Sequence, residues 1–288
     1  MTALPAPAPH PSAYEADAFR AIQAWRRPGN GWLDRMAAGV QATWQEVTEQ
    51  VRRVPGLAWT IDNLVAGLLQ VLNEITQDTV WTEPVYRAYR EAGHDVRCAA
   101  DVLRLDLSVV DARLEGLAGR YRALAAAEGT ATGLAGASGI LPDLVALVAL
   151  NLRAVGEHAA WCGFDLARPA ERLYALTVLD QVARTRDKAT DVALTPVTVL
   201  AGRSVRRQGL RAAEQLGLAE AIERVIRSLG LRLTGAKLGQ VVPVAGALLG
   251  GGFNLLYTDR VCRAAYHLYR ERFLFAKYGP NLTARLAS

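Results

Sequence analysis

Apolar positions recur along this chain at intervals of three and four residues, and no segment alternates apolar and polar side chains long enough to make a convincing strand. The pattern therefore predicts an all-α, multi-helix bundle without significant β-sheet. Ser12 opens the first helix, and Ser12-Ala-Tyr-Glu15 has the spacing at which hydroxyl and carboxylate satisfy each other's backbone donors. That helix is expected to run to about Arg27 and stop at Pro28-Gly29-Asn30-Gly31. A second is expected over Trp32–Arg53, before Pro55-Gly56, and further ones over Trp59–Glu74, Glu83–Glu91, His94–Leu103 and Ser108–Glu128.

The second half is more apolar. Gly129, Gly133, Gly136 and Gly139 follow one another at spacings of 4, 3 and 3. Pro142 then stands where a first helical turn accepts proline, and Asp143 beside it meets the positive end of the helix dipole. The helix begun there should reach Trp161 and stop at Gly163. Glu171–Arg186 reads as another, a stretch through Pro196 to Gly209 is less regular, and Leu210–Leu216 and Glu220–Leu229 are short helices. Gly235–Tyr257 is a second Gly-rich span, and Asp259–Tyr278 is a long amphipathic helix ending at Gly279-Pro280. With no repeat and no long linker, the chain divides into a Pro-rich disordered tail over 1–12, an N-terminal helical region over 13–91 and a helical domain over 92–280. The last two read as one continuous globular unit.

The two Gly-rich spans are expected to form a central helical pair. Leu238–Thr258 is 21 residues without a charge, long enough to cross the ~30 Å core of a bilayer. Gly246, Gly250 and Asn254 share a face, and small residues one turn apart let helix backbones approach closely in lipid or in a soluble core. Gln240, Pro243, Asn254 and five glycines weaken the span's hydropathy. A buried hairpin therefore explains it at lower cost than reversible insertion or a permanent span.

Composition agrees with closely packed helices: 51% of residues are apolar but only 7% aromatic, so Ala, Leu, Val and Gly carry the burial. Charge changes the picture more. The net charge is +5, yet from Arg186 onward there are 16 basic and 7 acidic residues, or +9, against −4 before it. Such asymmetry suggests an anionic partner: a membrane surface, a nucleic acid or an acidic protein. Arg203, Arg206, Arg207, Arg211, Arg224, Arg227, Arg232 and Lys237 lead directly into the uncharged span. Each basic residue near an anionic leaflet contributes about 1 kcal/mol. No aromatic interleaves them, which argues against nucleic acid. Three cysteines far apart, Cys98, Cys162 and Cys262, and no apolar stretch in the first twelve residues favour a reducing cytoplasm over secretion.

The run from Tyr121 through Glu128-Gly129 to Gly133, the Leu-Pro-Asp143-Leu turn, and the Trp161-Cys-Gly163-Phe-Asp165 helix end resemble the EcsC family. So do Lys237 and the later Val242-Pro243-Val244-Ala-Gly246 and Gly-Gly-Phe-Asn254. The similarity covers roughly Ala99 to Tyr278. It implies a bacterial, mostly helical protein, from a family named after an operon that also encodes an ABC transporter. It implies no defined activity, cofactor or catalytic residue.

Candidate chemistry is sparse. Asp143, Ala146, Leu150, Ala154, Glu157 and Trp161 fall on one helical stripe, and a carboxylate on a buried stripe must be paired, protonated or liganded. Asp143 and Glu157 are 14 residues apart, or about 21 Å of helix, so they cannot share one metal or one scissile bond. Glu157 is expected to pair with Arg153 one turn back. His158 and Cys162 have a spacing that can serve zinc, but no second pair completes a site. No phosphate-binding loop, nucleophile elbow or H-E-x-x-H helix occurs. Two readings follow. The first is a cytoplasmic, non-enzymatic protein peripheral to the inner face of the membrane, its partner anionic lipid or a membrane transporter component. The second is a ligand-binding or hydrolytic protein with a pocket around Asp143, Arg153, Glu157, His158 and Asn254. Neither requires a cofactor or a metal.

Overall fold

One helix of 33 residues, Gly246–Tyr278, organises the molecule in the computed structural model. The structure describes residues 10–26, 66–70, 82–133, 140–184, 220–230, 233, 246–279 and 282. In chain order the helices are α1 (Ala13–Arg26), α2 (Thr82–Glu91), α3 (Ala99–Val102), α4 (Leu107–Leu114), α5 (Leu117–Gly133), α6 (Ile140–Trp161), α7 (Pro169–Arg184) and α8 (Gly246–Tyr278). Residues 66–70 and 220–230 are also helical, and no strand occurs among the described residues. The expected helices over Trp32–Arg53 and Leu210–Leu216, and the residues around Arg203, Lys237 and Gly136, lie outside the described residues.

Most boundaries follow local chemistry. Ser12 and Glu15 form the expected reciprocal cap of α1: Glu15 N–H donates to Ser12 Oγ at 3.2 Å and Ser12 N–H to Glu15 Oε2 at 3.1 Å. Helix α6 stops where predicted. Gly163, at φ +79, lets Phe164 N–H return to the Ala159 carbonyl at 2.8 Å and Gly163 N–H to Ala160 at 3.0 Å. Gly93, at φ +88, closes α2 the same way through the His94 N–H and the Tyr89 carbonyl, 3.0 Å apart.

Three expectations are corrected. His94–Leu103 is not one helix: the Asp101 carboxylate takes the backbone N–H groups of Arg97 and Cys98, delaying helix entry until Ala99. Ser108–Glu128 is two helices, because Gly116 adopts φ +78 and turns the chain between α4 and α5. The Gly-rich spans are not separate units. Gly129 and Gly133 complete α5, whereas Gly246 and Gly250 open the same helix that carries Asp259–Tyr278.

Helix directions follow from cross-contacts. Tyr121 of α5 meets Glu157 near the end of α6, and only six residues join the end of α5 to the start of α6, so α5 runs antiparallel to α6 and to α8, which Arg122 meets at Asp259. Helix α6 runs parallel to α8, with Asp143 on Asn254 and Asn151 on Thr258. Helix α7 is antiparallel to α8, with Glu171 on Arg272 and the Leu179 carbonyl on the Tyr257 hydroxyl. Helix α1 lies antiparallel along the C-terminal half of α8, pairing Phe19 with Phe275 edge to face and stacking Trp25 on His267 at 4.6 Å. The core between them is aliphatic around Leu144, Leu147, Val148, Val155, Val261 and Ala265, and aromatic around Tyr174, Tyr269 and Phe273.

Candidate functional site

Polar groups inside this core fall in two places along α8. The N-terminal one joins α6 and α8. Asn254, fully buried, donates its Nδ2–H to Asp143 Oδ1 at 3.2 Å. One turn on, Asn151 donates to Thr258 Oγ1 at 3.1 Å and to the Leu147 carbonyl at 2.8 Å. The side-chain carbonyls of Asn151 and Asn254 have no hydrogen-bond partner among the described residues. Asp143 stands in the first turn of α6, where the helix dipole favours a carboxylate. Two of the residues expected at a pocket, Asp143 and Asn254, therefore do touch. Asn151 and Thr258 complete the row; they are polar residues at helical spacing in apolar sequence, and that was the signal that could have found them.

Glu157 does not join them. Its carboxylate is held across the α5–α6 interface by Arg120 and by the Tyr121 hydroxyl at 2.6 Å, which corrects the expectation that Arg153 on its own helix would be the partner. Arg153 is exposed. The supposed buried stripe is displaced too: Ala146, Leu150, Glu157 and Trp161 are only half-buried, and the face toward the core carries Leu144, Leu147, Asn151, Val155 and His158. His158 Nδ1 lies 2.7 Å from the Ala154 carbonyl, and burial pushes its imidazole down to about 4. Burial likewise raises the Cys162 thiol, and pushes Cys262 up to about 12. Neutral, inward-facing groups of this kind suit packing better than proton transfer. Among the described residues, no three His, Cys, Asp or Glu side chains are placed to hold a metal.

The second polar place is ionic. Arg272 makes a two-pronged bond to Glu171, both contacts 2.7 Å, its guanidinium 4.2 and 4.1 Å from the ring centres of Phe164 and Tyr174. Arg270 meets Asp111 at 2.6 Å, and Asp111 also accepts from the Tyr14 hydroxyl at 2.7 Å. Lys277 meets Glu15 at 2.8 Å, while Arg26 reaches Glu271 from α1. Burial drives the Asp111 carboxyl up against the opposing pull of Arg270. The +9 of the C-terminal half is thus not all surface charge: Arg270, Arg272 and Lys277 are held by acids of the N-terminal half.

Most of what remains of that charge is carried by the segment from Arg203 to Lys237. Its described part, 220–230, buries Ile222, Ile226 and Leu229 and leaves Arg224 and Arg227 exposed; Arg227 lies 3.6 Å from Glu223 and Arg224 reaches the Glu220 carbonyl. No helix among the described residues is long and apolar enough to cross a membrane.

Comparison with known proteins places these features in a family. The EcsC protein family model matches residues 16–274, nearly the whole chain. The chain is also similar to the "Uncharacterized protein YdbA" of Bacillus subtilis (strain 168), 26% identical over 179 residues, which make up 60% of this chain and 61% of that protein. The match thus spans about three fifths of the relative's length. No solved structure matches.

Proposed function

The chain belongs to the EcsC protein family, and from that premise we propose that it is a non-enzymatic helical protein that associates peripherally with an anionic membrane surface. The observation that carries the reading is the distribution of positive charge. Arg270, Arg272 and Lys277 of α8 are held by internal pairs, and most of the remaining excess lies on Arg203, Arg206, Arg207, Arg211, Arg224, Arg227, Arg232 and Lys237. Between Arg203 and Lys237 the only acids are Glu214, Glu220 and Glu223, so that segment carries about five net positive charges, each worth about 1 kcal/mol at an anionic leaflet. A membrane transporter component with an acidic cytoplasmic surface would meet the same charges, and pull-down from solubilised membranes separates that partner from lipid.

Vesicle co-sedimentation tests the reading. Binding to phosphatidylglycerol-containing vesicles is expected to exceed binding to neutral ones, to weaken steeply between low and physiological salt, and to fall at least about tenfold in Arg203→Glu/Arg207→Glu. Equal, salt-insensitive recovery on both vesicle types would remove it.

A second reading, small-molecule binding at the polar row, is favoured by the two fully buried Asn carbonyls without partners among the described residues. A metabolite that raises the melting temperature of the native protein but not of Asp143→Asn would support it, whereas equal shifts in both proteins would count against it.

A further inference from the structure

We propose that one end of the bundle, where α5 finishes and α6 and α8 begin, dips into the outer part of a single lipid leaflet. The proposal rests on the peripheral-membrane reading above and names the surface and the mode of contact. Three helices bring their least charged stretches to this end. On α8, residues 246–258 carry no charge; on α6, residues 140–152 carry only Asp143, which is buried; on α5, residues 123–133 carry only Glu128, which is half-buried and partnered. The directions already established make these stretches neighbours. The N-terminal ends of α6 and α8 lie side by side through Asp143 and Asn254, and α5 returns antiparallel past them. Thirteen helical residues span about 20 Å, more than the hydrocarbon depth of one leaflet and less than a full crossing.

Exposure points the same way. Four large hydrophobic residues are exposed among the described ones: Leu69 at 39%, Leu124 at 48%, Leu256 at 53% and Tyr14 at 44%. Leu124 and Leu256 stand on α5 and α8 just past the Arg122–Asp259 contact toward the sparsely charged end. Leu69 belongs to the helical stretch 66–70, whose Gly67 lies against Val145 in the first turns of α6. Tyr14 alone sits at the opposite end, where its hydroxyl is bonded to Asp111. Three separate segments therefore present leucine to solvent at the end where the described stretches of α5, α6 and α8 carry least charge, a distribution that a purely aqueous surface does not favour.

A collar of arginines closes the patch. Arg120 and Arg122 of α5, Arg153 of α6 and Arg260 and Arg263 of α8 stand at the level where the uncharged stretches stop. Glu157 is held by Arg120, and Asp259 by both Arg122 and Arg263, so arginines outnumber acids at that level among the described residues. Apolar tip and cationic collar match the layers of an anionic leaflet, hydrocarbon below and phosphate above. A second protein would be expected to meet the leucines with an apolar groove instead, and would be indifferent to phosphate.

Environment-sensitive labelling of the full chain decides the matter. Leu124→Cys and Leu256→Cys, each in a Cys98→Ser background so that no other exposed thiol reacts, would carry a nitrobenzoxadiazole fluorophore; Asp17→Cys on α1 is the control at the far end. With phosphatidylglycerol vesicles, labels at 124 and 256 are expected to shift blue and brighten at least about twofold, and the label at 17 to stay unchanged. The unlabelled double variant Leu124→Asp/Leu256→Asp, placed at exposed positions that do not hold the fold, is expected to lose at least about tenfold in vesicle binding. Vesicle binding retained with no response at 124 or 256, or retained in the Asp variant, overturns the proposal and leaves the peripheral reading standing. Failure of the native chain to sediment with any vesicle overturns both.

Discussion

Single residues in this protein are held mainly by opposite charges met far along the chain. Arg272 is the clearest case: it is buried, bidentate to Glu171 and faced by three aromatic rings. A buried pair adds little over a well-packed apolar substitute, but half of one is costly. Glu171→Ala is therefore expected to lower stability by about 3–5 kcal/mol in urea unfolding, and Glu171→Leu/Arg272→Met to recover most of that loss. If the double variant were as unstable as the single, the charges themselves would be required. His158 makes a pH prediction. Burial holds its folded-state pKa at about 4, below the ordinary 6.5, so the unfolded chain binds the extra proton between those values. The stabilisation is complete above about pH 6.5 and is lost as pH falls toward 4, at about 1.4 kcal/mol per pH unit while only the unfolded form is protonated. His267, also pushed down to about 4 by burial and by Arg270 and Arg263, adds to the same slope. In His158→Gln the slope over this window should drop by about one proton, and an unchanged slope would mean that the imidazole is solvated in the native state.

At the scale of helices, glycines have opposite jobs that sequence spacing does not distinguish. Gly163 terminates α6 at φ +79, and a Cβ there would lie 2.9 Å from the Ala99 carbonyl oxygen. Gly163→Ala is expected to cost more than the ~1 kcal/mol of an unfavourable φ alone, about 2–4 kcal/mol with the clash included. Gly252 lies inside α8 with nothing within 4 Å of its Cβ direction, and Gly252→Ala should stabilise by about 0.5–1 kcal/mol. Thermal denaturation of the two variants side by side checks both signs. The same distinction explains two misplaced helix boundaries. Gly116 broke an apparently continuous apolar periodicity because its left-handed conformation is invisible to a 3.6-residue pattern. Conversely, Gly246 and Gly250 do not interrupt α8, because a helix packed along its length by several neighbours tolerates glycines that would unravel a free one.

On the scale of the molecule, α1 closes the bundle from the far end of the sequence. Glu15, fully buried as a side chain, accepts from Lys277, Tyr278 and the Leu107 backbone, and Arg26 holds Glu271. Removing residues 1–26 would leave Lys277 and Glu271 without these partners and expose Phe275 and His267. It is expected to cost about 3–6 kcal/mol and to broaden the calorimetric transition. A truncated chain that melted as sharply and as high as the full one would show α1 to be an appendage. This closure also redistributes charge. Acidic and basic halves of the sequence interleave inside one bundle, so the half-chain total overstates what the surface presents.

The all-helical class, the cap at Ser12, the stop at Gly163 and the family likeness were legible in the residues themselves, because each depends on neighbours within about four positions. The Asp143–Asn254 contact was half legible, since both residues stood out as polar groups in apolar sequence. Their meeting across 111 positions was not. Which acid neutralises which arginine, that Glu157 turns to Arg120 and Tyr121, and that three sparsely charged helix ends gather at one pole were decided only by tertiary structure. Periodicity fixes the face a residue shares with its own helix, but the direction in which one helix passes another is set by the packing of the whole set. That packing brings together positions for which no local signal exists.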